Sequence, residues 1–238
     1  MYVLKLRVKY TKTGALRFIG HLDVMRFFQK AIRRAKLDIA YTKGFSPHQI
    51  ISFAAPMPLG MTSEGEYFDA EFVSFTTAED MKMRLNAVMP PEIQVISIVK
   101  LPDDAKPSMA LVTATDYIVT VPFAVSDAIK ELLQKPEICV TKKTKSSEAT
   151  VDIKPMIFEL ALYDPSVHGS NVVGVTEAVY MKLASGSSRN LKPELVIGAL
   201  ADTAGITLEL YSCRIHRLET YLGEEDALRP MYETGEDF

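Results

Sequence analysis

Hydrophobic and polar positions alternate with period two at the start of the chain. Leu4, Leu6, Val8 and Tyr10 fall on one face and Lys5, Arg7 and Lys9 on the other, which predicts a strand with one buried face. From residue 21 to residue 36 the period changes. Val24, Met25, Phe28, Ala31, Ile32 and Ala35 share one stripe, the pattern of a helix packed on a sheet. Residues 49–54 are apolar and β-branched and read as a buried strand, which Pro56 and Pro58 confine to an edge or crossover. Residues 66–75 alternate again. Thr76 and Thr77 then precede Glu79 and Asp80 and open a helix through residue 88. Pro90 and Pro91 stop it, and residues 93–99 return to strand.

Strand, helix, strand, strand, helix, strand is the order of a split β-α-β, or ferredoxin-like, unit. A polar stretch with two prolines, residues 101–108, follows as a connector. The order then repeats loosely. Strand 116–121 leads to helix 126–134, capped by Ser126, and to a short strand at 138–141. A strand-like stretch at 151–163 is interrupted by Pro155, and a strand follows at 173–184. A helix at 193–204 begins on Pro193 and ends at Gly205. Residues 206–214 read as the final strand. The expected fold is α+β, two tandem ferredoxin-like halves with antiparallel sheets. The first half covers 1–100, the connector 101–108, and the second half, with an insertion, 109–217. An acidic C-terminal tail, mobile at its end, covers 218–238.

Composition alters this picture in one respect. The formal net charge of −3 hides an asymmetry. Residues 1–50 hold 11 Lys and Arg against 2 Asp and Glu, while the rest of the chain holds 16 against 28. The last 21 residues carry seven acids and one arginine, so this tail could shield a basic face when no ligand is present. Nucleic acid is bound by a patch and not by an average, so the basic first segment matters more than the overall pI. The chain has no apolar run long enough for a membrane span and no secretory leader pattern. Cys139 and Cys213 are 74 residues apart and lie in no CxxC or Cys/His cluster. A disulfide framework and a cysteine-based metal site are therefore not expected, and a reducing cytoplasmic location is.

The candidate chemistry lies in residues 16–60. Opposite the apolar stripe of the first helix stand Asp23, Arg26, Lys30, Arg33 and Arg34. Asp23 can offset Arg26, three residues on, but not the whole face. This face is either solvated or phosphate-binding, and the guanidinium fork suits phosphate. Arg17 precedes the helix. After it, residues 42–48 bring Lys43, Gly44, Phe45, Pro47 and His48 into one loop, a composition that can set backbone N–H groups and a ring against a phosphate or base. Phe45 could equally plug the core. The nucleic-acid-binding set is thus Arg17, Arg26, Lys30, Arg33, Arg34, Lys43 and His48. Lys142, Lys143, Lys145 and Arg189 extend it if their loops share its side.

Catalytic candidates are few. His21 and His48 could act as general bases on an RNA 2′-hydroxyl, with Lys43 or Arg17 stabilising charge. Asp23 is the nearest acid, and capping or dipole stabilisation of the helix start is its plainer role. His21, Asp23 and His48 do not form a recognised metal-ligand spacing. His168 and His216 stand alone. Neither a GxGxxG nor a P-loop pattern is present, so no cofactor is indicated.

The stretch LRFIGHLDVMRFFQKAIRRAKLDIAYTKGFSPHQIISFAAPMPLGMTSEGEYFD resembles the radical S-adenosylmethionine-linked protein family of unassigned function. KKTKSSEATVDIKP and LASGSSRNLKPE resemble motifs of that family's second half, so the likeness spans nearly the whole chain. A CxxxCxxC cluster is absent, which corresponds to the form encoded apart from the radical module. The resemblance implies an accessory role beside a radical S-adenosylmethionine enzyme, near RNA or ribosome-related genes. It supplies no catalytic residue. Three functional expectations follow: an RNA-binding or substrate-presenting module, a protein-docking partner of the radical enzyme, and a metal-independent RNA-processing enzyme using His21 or His48.

Overall fold

The computed structural model describes residues 3–143, 148–169 and 177–238. Its elements run β1 (Leu4–Lys12), α1 (His21–Arg34), β2 (Ile51–Phe53), β3 (Thr62–Phe72), α2 (Ala78–Asn86), β4 (Val95–Lys100), α3 (Ser108–Leu111) and β5 (Val112–Thr120). They continue with α4 (Ser126–Gln134), β6 (Cys139–Lys143), β7 (Glu148–Asp152), β8 (Ile157–Leu162), α5 (Pro165–His168), β9 (Ala178–Ala184), α6 (Pro193–Thr203), β10 (Arg214–Leu222) and β11 (Arg229–Pro230). The chain is α+β, and its strands pair mostly antiparallel. It divides into two units, Met1–Thr113 with Glu219–Phe238, and Ala114–Leu218.

In the first unit β1 lies between β4 and β3, and β2 pairs the far side of β3. The period-two face of β1 and the stripe of α1 meet as the sequence predicts. Leu4, Leu6, Val8 and Tyr10 pack with Val24, Phe28, Ala31 and Ile32, and Met81 and Leu85 of α2 join the same core. Phe28 is fully buried and meets the Tyr10 ring edge-on at 4.7 Å. Burial of this kind contributes roughly 1.5–3 kcal/mol per large apolar side chain. Thr77 caps α2, its hydroxyl oxygen accepting from the Asp80 amide at 3.3 Å.

The end of α1 is a Schellman turn. The Leu37 amide donates to the Ile32 carbonyl at 3.2 Å and the Lys36 amide to that of Arg33 at 3.1 Å. Lys36 takes the left-handed position, φ 53°, usually held by glycine. Arg84 of α2 reaches across and donates to the carbonyls of Ala35 and Lys36.

The second unit carries β5, β9 and β8 in antiparallel order, with β10 beside β5. α4 and α6 supply Ile129, Leu132, Val196, Ile197 and Leu200 to its core. β6 and β7 form a separate antiparallel pair, anchored where Asp152 Oδ1 accepts from the Ile138 amide at 2.8 Å.

Several expectations are corrected. Residues 206–214 do not form the last strand. Only Arg214 belongs to β10, and Leu210–Ser212 form a 3-10 turn, because the exposed alternation of 206–213 has no strand beside it. Ser126 is not the cap of α4; Val125 holds that position and no side chain caps it. Residues 151–163 split into β7 and β8 around a 3-10 turn at Lys154–Met156, which contains Pro155. Residues 219–238 are built into the first unit: β10 runs to Leu222, β11 pairs it, and Met231 is fully buried.

Candidate nucleic-acid interface

The cations opposite the apolar stripe of α1 are exposed. Arg26, Lys30, Arg33 and Arg34 all face solvent. Asp23 reaches Arg26 at 3.6 Å, with both side chains more than 60% exposed, a geometry that neutralises little. Among the described residues no carboxylate pairs with Lys30, Arg33 or Arg34, and the only hydrogen bond given to these three side chains runs from Arg33 Nε to the Gln29 carbonyl at 3.3 Å. Arg33 and Arg34 also occupy the last turn of α1, where its dipole favours cations.

The loop at 42–48 is held shut by its own ends. The Thr42 amide donates to the His48 carbonyl at 2.9 Å, and the Thr42 hydroxyl meets both the His48 amide and His48 Nδ1 at 3.1 Å. These contacts occupy Nδ1 of the exposed imidazole. Gly44 lies at φ 115°, where a side chain would strain the turn. Phe45 does not plug the core: its side chain is fully exposed at the loop tip. Gln49 ties the loop base to α1, its Nε2 donating to the Gln29 carbonyl at 3.3 Å. Lys43 and His48 therefore stand beside the end of α1 that carries Lys30, Arg33 and Arg34.

Arg17 lies at the other end of α1, roughly 20 Å away by helix rise. It is half-buried, its guanidinium stacked over Phe18 at 4.7 Å while its carbonyl accepts from the Gly60 amide. The catalytic candidates are separated. His21 sits edge-on to Phe53 at 5.1 Å and lines a small cavity with Tyr10, Lys12 and Glu66. Burial lowers the Lys12 pKa against the opposing field of Glu66, and its ammonium donates to the Ile19 carbonyl at 2.9 Å. His48 lines a different cleft, and Asp23 is exposed and, among the described residues, paired with Arg26 alone. Of the second-unit cations, Arg189 is exposed and donates to the Pro155 carbonyl. Lys142 and Lys143 close β6, and Lys145 lies outside the described residues.

Alternation alone missed what happens to the other face of β1. Its cations are not solvated. Arg7 is 1% exposed. It grips the Asp69 carboxylate through two hydrogen bonds and also donates to the Met231 carbonyl and Thr234 Oγ1. The second Asp69 oxygen accepts from the Ser108 amide at 3.0 Å as well. Lys9 donates to Glu219 Oε2 and Tyr67 to Glu219 Oε1, each at 2.6 Å, and the Lys9 ammonium lies 5.1 Å from the Tyr232 ring. Desolvation first, and then the Glu219 charge, raise the Tyr67 pKa far above the ordinary phenol value. Glu219 of the acidic segment thus meets a cation of β1, and no acid of that segment pairs with α1 among the described residues. The cue lay in unlike charges on facing strands, since Arg7 and Asp69 are directly opposed.

The remaining chemistry is quiet. Cys139 is exposed at the start of β6, and Cys213 is half-buried; both thiols are free. Desolvation raises both pKa values, with Glu137 and Asp152 adding to the effect at Cys139. Among the described residues no cluster of His, Cys, Asp and Glu could hold a metal ion, and no helix is long and apolar enough to cross a membrane.

Two of the solved structures that resemble the chain are as follows. One is titled "Crystal Structure of a Cbf5-Nop10-Gar1 Complex", with 8% identity over 90% of this chain and 48% of that one, TM-score 0.47. This chain thus spans about half of the matched structure. The other is an unknown protein from Galdieria sulphuraria, with 10% identity over 92% and 99% of the two chains and TM-score 0.24. No curated protein matches the sequence. The model of one family matches residues 5–193. The chain belongs to that family, DUF2344, described as uncharacterized proteins conserved in bacteria.

Proposed function

We propose that the protein is a noncatalytic RNA-binding or substrate-presenting module working with a radical S-adenosylmethionine enzyme in the cytoplasm. Its two units, in this reading, are tandem ferredoxin-like halves. The observation that carries the proposal is the set of exposed cations Lys30, Arg33 and Arg34 beside the Lys43–His48 loop, without carboxylate partners among the described residues. The helix dipole favours cations at this end, and arginine forks match phosphate beside it. Phe45 at the loop tip adds an aromatic surface on which a base can stack.

Salt titration tests this. Affinity for single-stranded RNA should fall linearly in a log–log plot against salt. The Arg33→Glu/Arg34→Glu variant should bind about tenfold or more weakly at the same melting temperature. RNA binding indifferent to both changes refutes the proposal. Loss of binding to the purified radical enzyme in that variant, with no RNA affinity in the wild type, would instead assign the face to protein docking.

A further inference from the structure

The first unit holds a cleft of about 320 Å³ on the sheet face opposite α1. That volume is in the range of small-ligand sites. Its floor includes Glu71 of β3 and Ile50, and its far wall is Leu101, Ala105 and Pro107. Thr42 and His48 line the cleft too, so the basic loop described above forms its rim.

Among the described residues no side chain pairs with the Glu71 carboxylate; Lys5, directly across the strand pair, sends its ammonium to the Asp103 carbonyl at 2.6 Å instead. Gln49 lines the cleft and is 6% exposed. Its amide nitrogen is engaged with Gln29 and Tyr41, while its Oε1 is buried without a partner. The half-buried Glu71 carboxylate is therefore an acceptor that this cleft offers without a side-chain partner among the described residues. Lys106, exposed and without an ion-pair partner among the described residues, flanks the cleft.

A ligand for this site needs a flat apolar body, N–H donors on one edge and an anionic group left outside. A phosphate held by Lys43 or Lys106 at the rim and an amino-bearing base inside meet all three requirements. Carboxylates accept hydrogen bonds from exocyclic amines in base recognition, and an unstacked base of a single strand offers that edge. We propose that the cleft receives one unstacked, amino-bearing nucleobase of an RNA strand whose phosphates lie on α1 and the 42–48 loop. This deepens the function proposed above and rests on it. Uracil, with no exocyclic amine, is the base the cleft discriminates against.

Equilibrium binding of GMP, AMP, CMP and UMP to the full chain, followed by calorimetry, tests the inference. At least one amino-bearing nucleotide should bind saturably and UMP about tenfold more weakly. Ala105→Trp, which fills the cleft from its wall, should abolish binding. The near-isosteric Glu71→Gln should erase the preference over UMP, with the melting temperature checking that both variants fold. Salt-dependent RNA binding unaffected by Ala105→Trp, with no saturable mononucleotide binding, overturns the cleft and spares the basic face. Saturable binding of an arginine- or lysine-bearing peptide with no nucleotide binding overturns it in favour of a protein partner.

Discussion

Arg7 and Asp69 face each other across β1 and β3 and share two hydrogen bonds, Nε to Oδ1 at 2.8 Å and NH2 to Oδ2 at 3.0 Å. The guanidinium side chain is 0% exposed and the carboxylate 14%. The same two side chains hold α3 through the Ser108 amide and the C-terminal segment through Met231 and Thr234. Removing one partner leaves the other buried and uncompensated, a loss of about 3–5 kcal/mol. Arg7→Met and Asp69→Leu should each lower the unfolding free energy read from urea titration by that amount, and the double variant should recover part of the loss. Additive losses in the double-mutant cycle would show that the two side chains act independently.

Tyr67 makes stability depend on alkaline pH. Its folded pKa is raised, by desolvation first and the Glu219 charge next, above the ordinary value of 10.0. The unfolded chain releases the phenol proton as pH passes that value, while the folded chain keeps it. The unfolded state then binds fewer protons, so stability falls as pH rises. The contribution is fully present below pH 10 and is lost above it. Urea unfolding from pH 8 to 11 should show this decline, and Tyr67→Phe should flatten it while costing about 1–3 kcal/mol at pH 8 through the lost hydrogen bond to Glu219. An unchanged slope in the variant would locate the alkaline sensitivity elsewhere.

Lys36 holds a left-handed turn position that suits glycine. Lys36→Gly should therefore stabilise the protein by about 0.5–1 kcal/mol, read as a rise in the denaturation midpoint at constant slope. A fall would mean that the lysine side chain makes a contribution larger than its backbone strain.

Gly235 runs against β4. A Cβ there would stand 2.4 Å from Val99 Cγ2 and 2.8 Å from the Lys100 carbonyl oxygen. Gly235→Ala should push the segment off the strand and cost about 1–3 kcal/mol. Hydrogen exchange should accelerate at the amides of Lys100 and Glu236, which bond each other's carbonyls at 2.8 and 2.9 Å, before it does in the core of β1.

Phe45 is exposed at its loop tip, so Phe45→Ala should change stability by less than about 0.5 kcal/mol. Its RNA affinity should drop by about 1–3 kcal/mol if a base stacks on the ring. Equal affinity of the two proteins across the salt titration would remove Phe45 from the interface.

Much of this was legible in the side-chain periods. The stripe of α1 and the alternation of β1 predicted which residues are buried, and Pro155 marked its break. The misreadings share a cause. The cations of β1 looked like a solvent face because their partners, Glu219 and the backbone at Met231, lie some two hundred residues away in sequence. The strand-like run at 206–213 has alternation but no neighbour to pair with. Of the candidate site, the helix cations were readable from spacing. The cleft was not, because Glu71, Gln49 and Pro107 come from three separate stretches that only the folded chain brings together.

The division of the chain has a consequence for its synthesis. The first unit comprises Met1–Thr113 and Glu219–Phe238, while Ala114–Leu218 is continuous. A ribosome therefore joins every residue of the second unit before it makes the segment that supplies Glu219, Met231 and Thr234 to β1. Arg7, Lys9 and Tyr67 are among the early residues translated and among the last to find their partners. The basic segment thus emerges on a scaffold still lacking its counter-charges. A nascent chain stalled near residue 218 would present the whole of its early positive charge, including the β1 lysines, to whatever polyanion lies at hand.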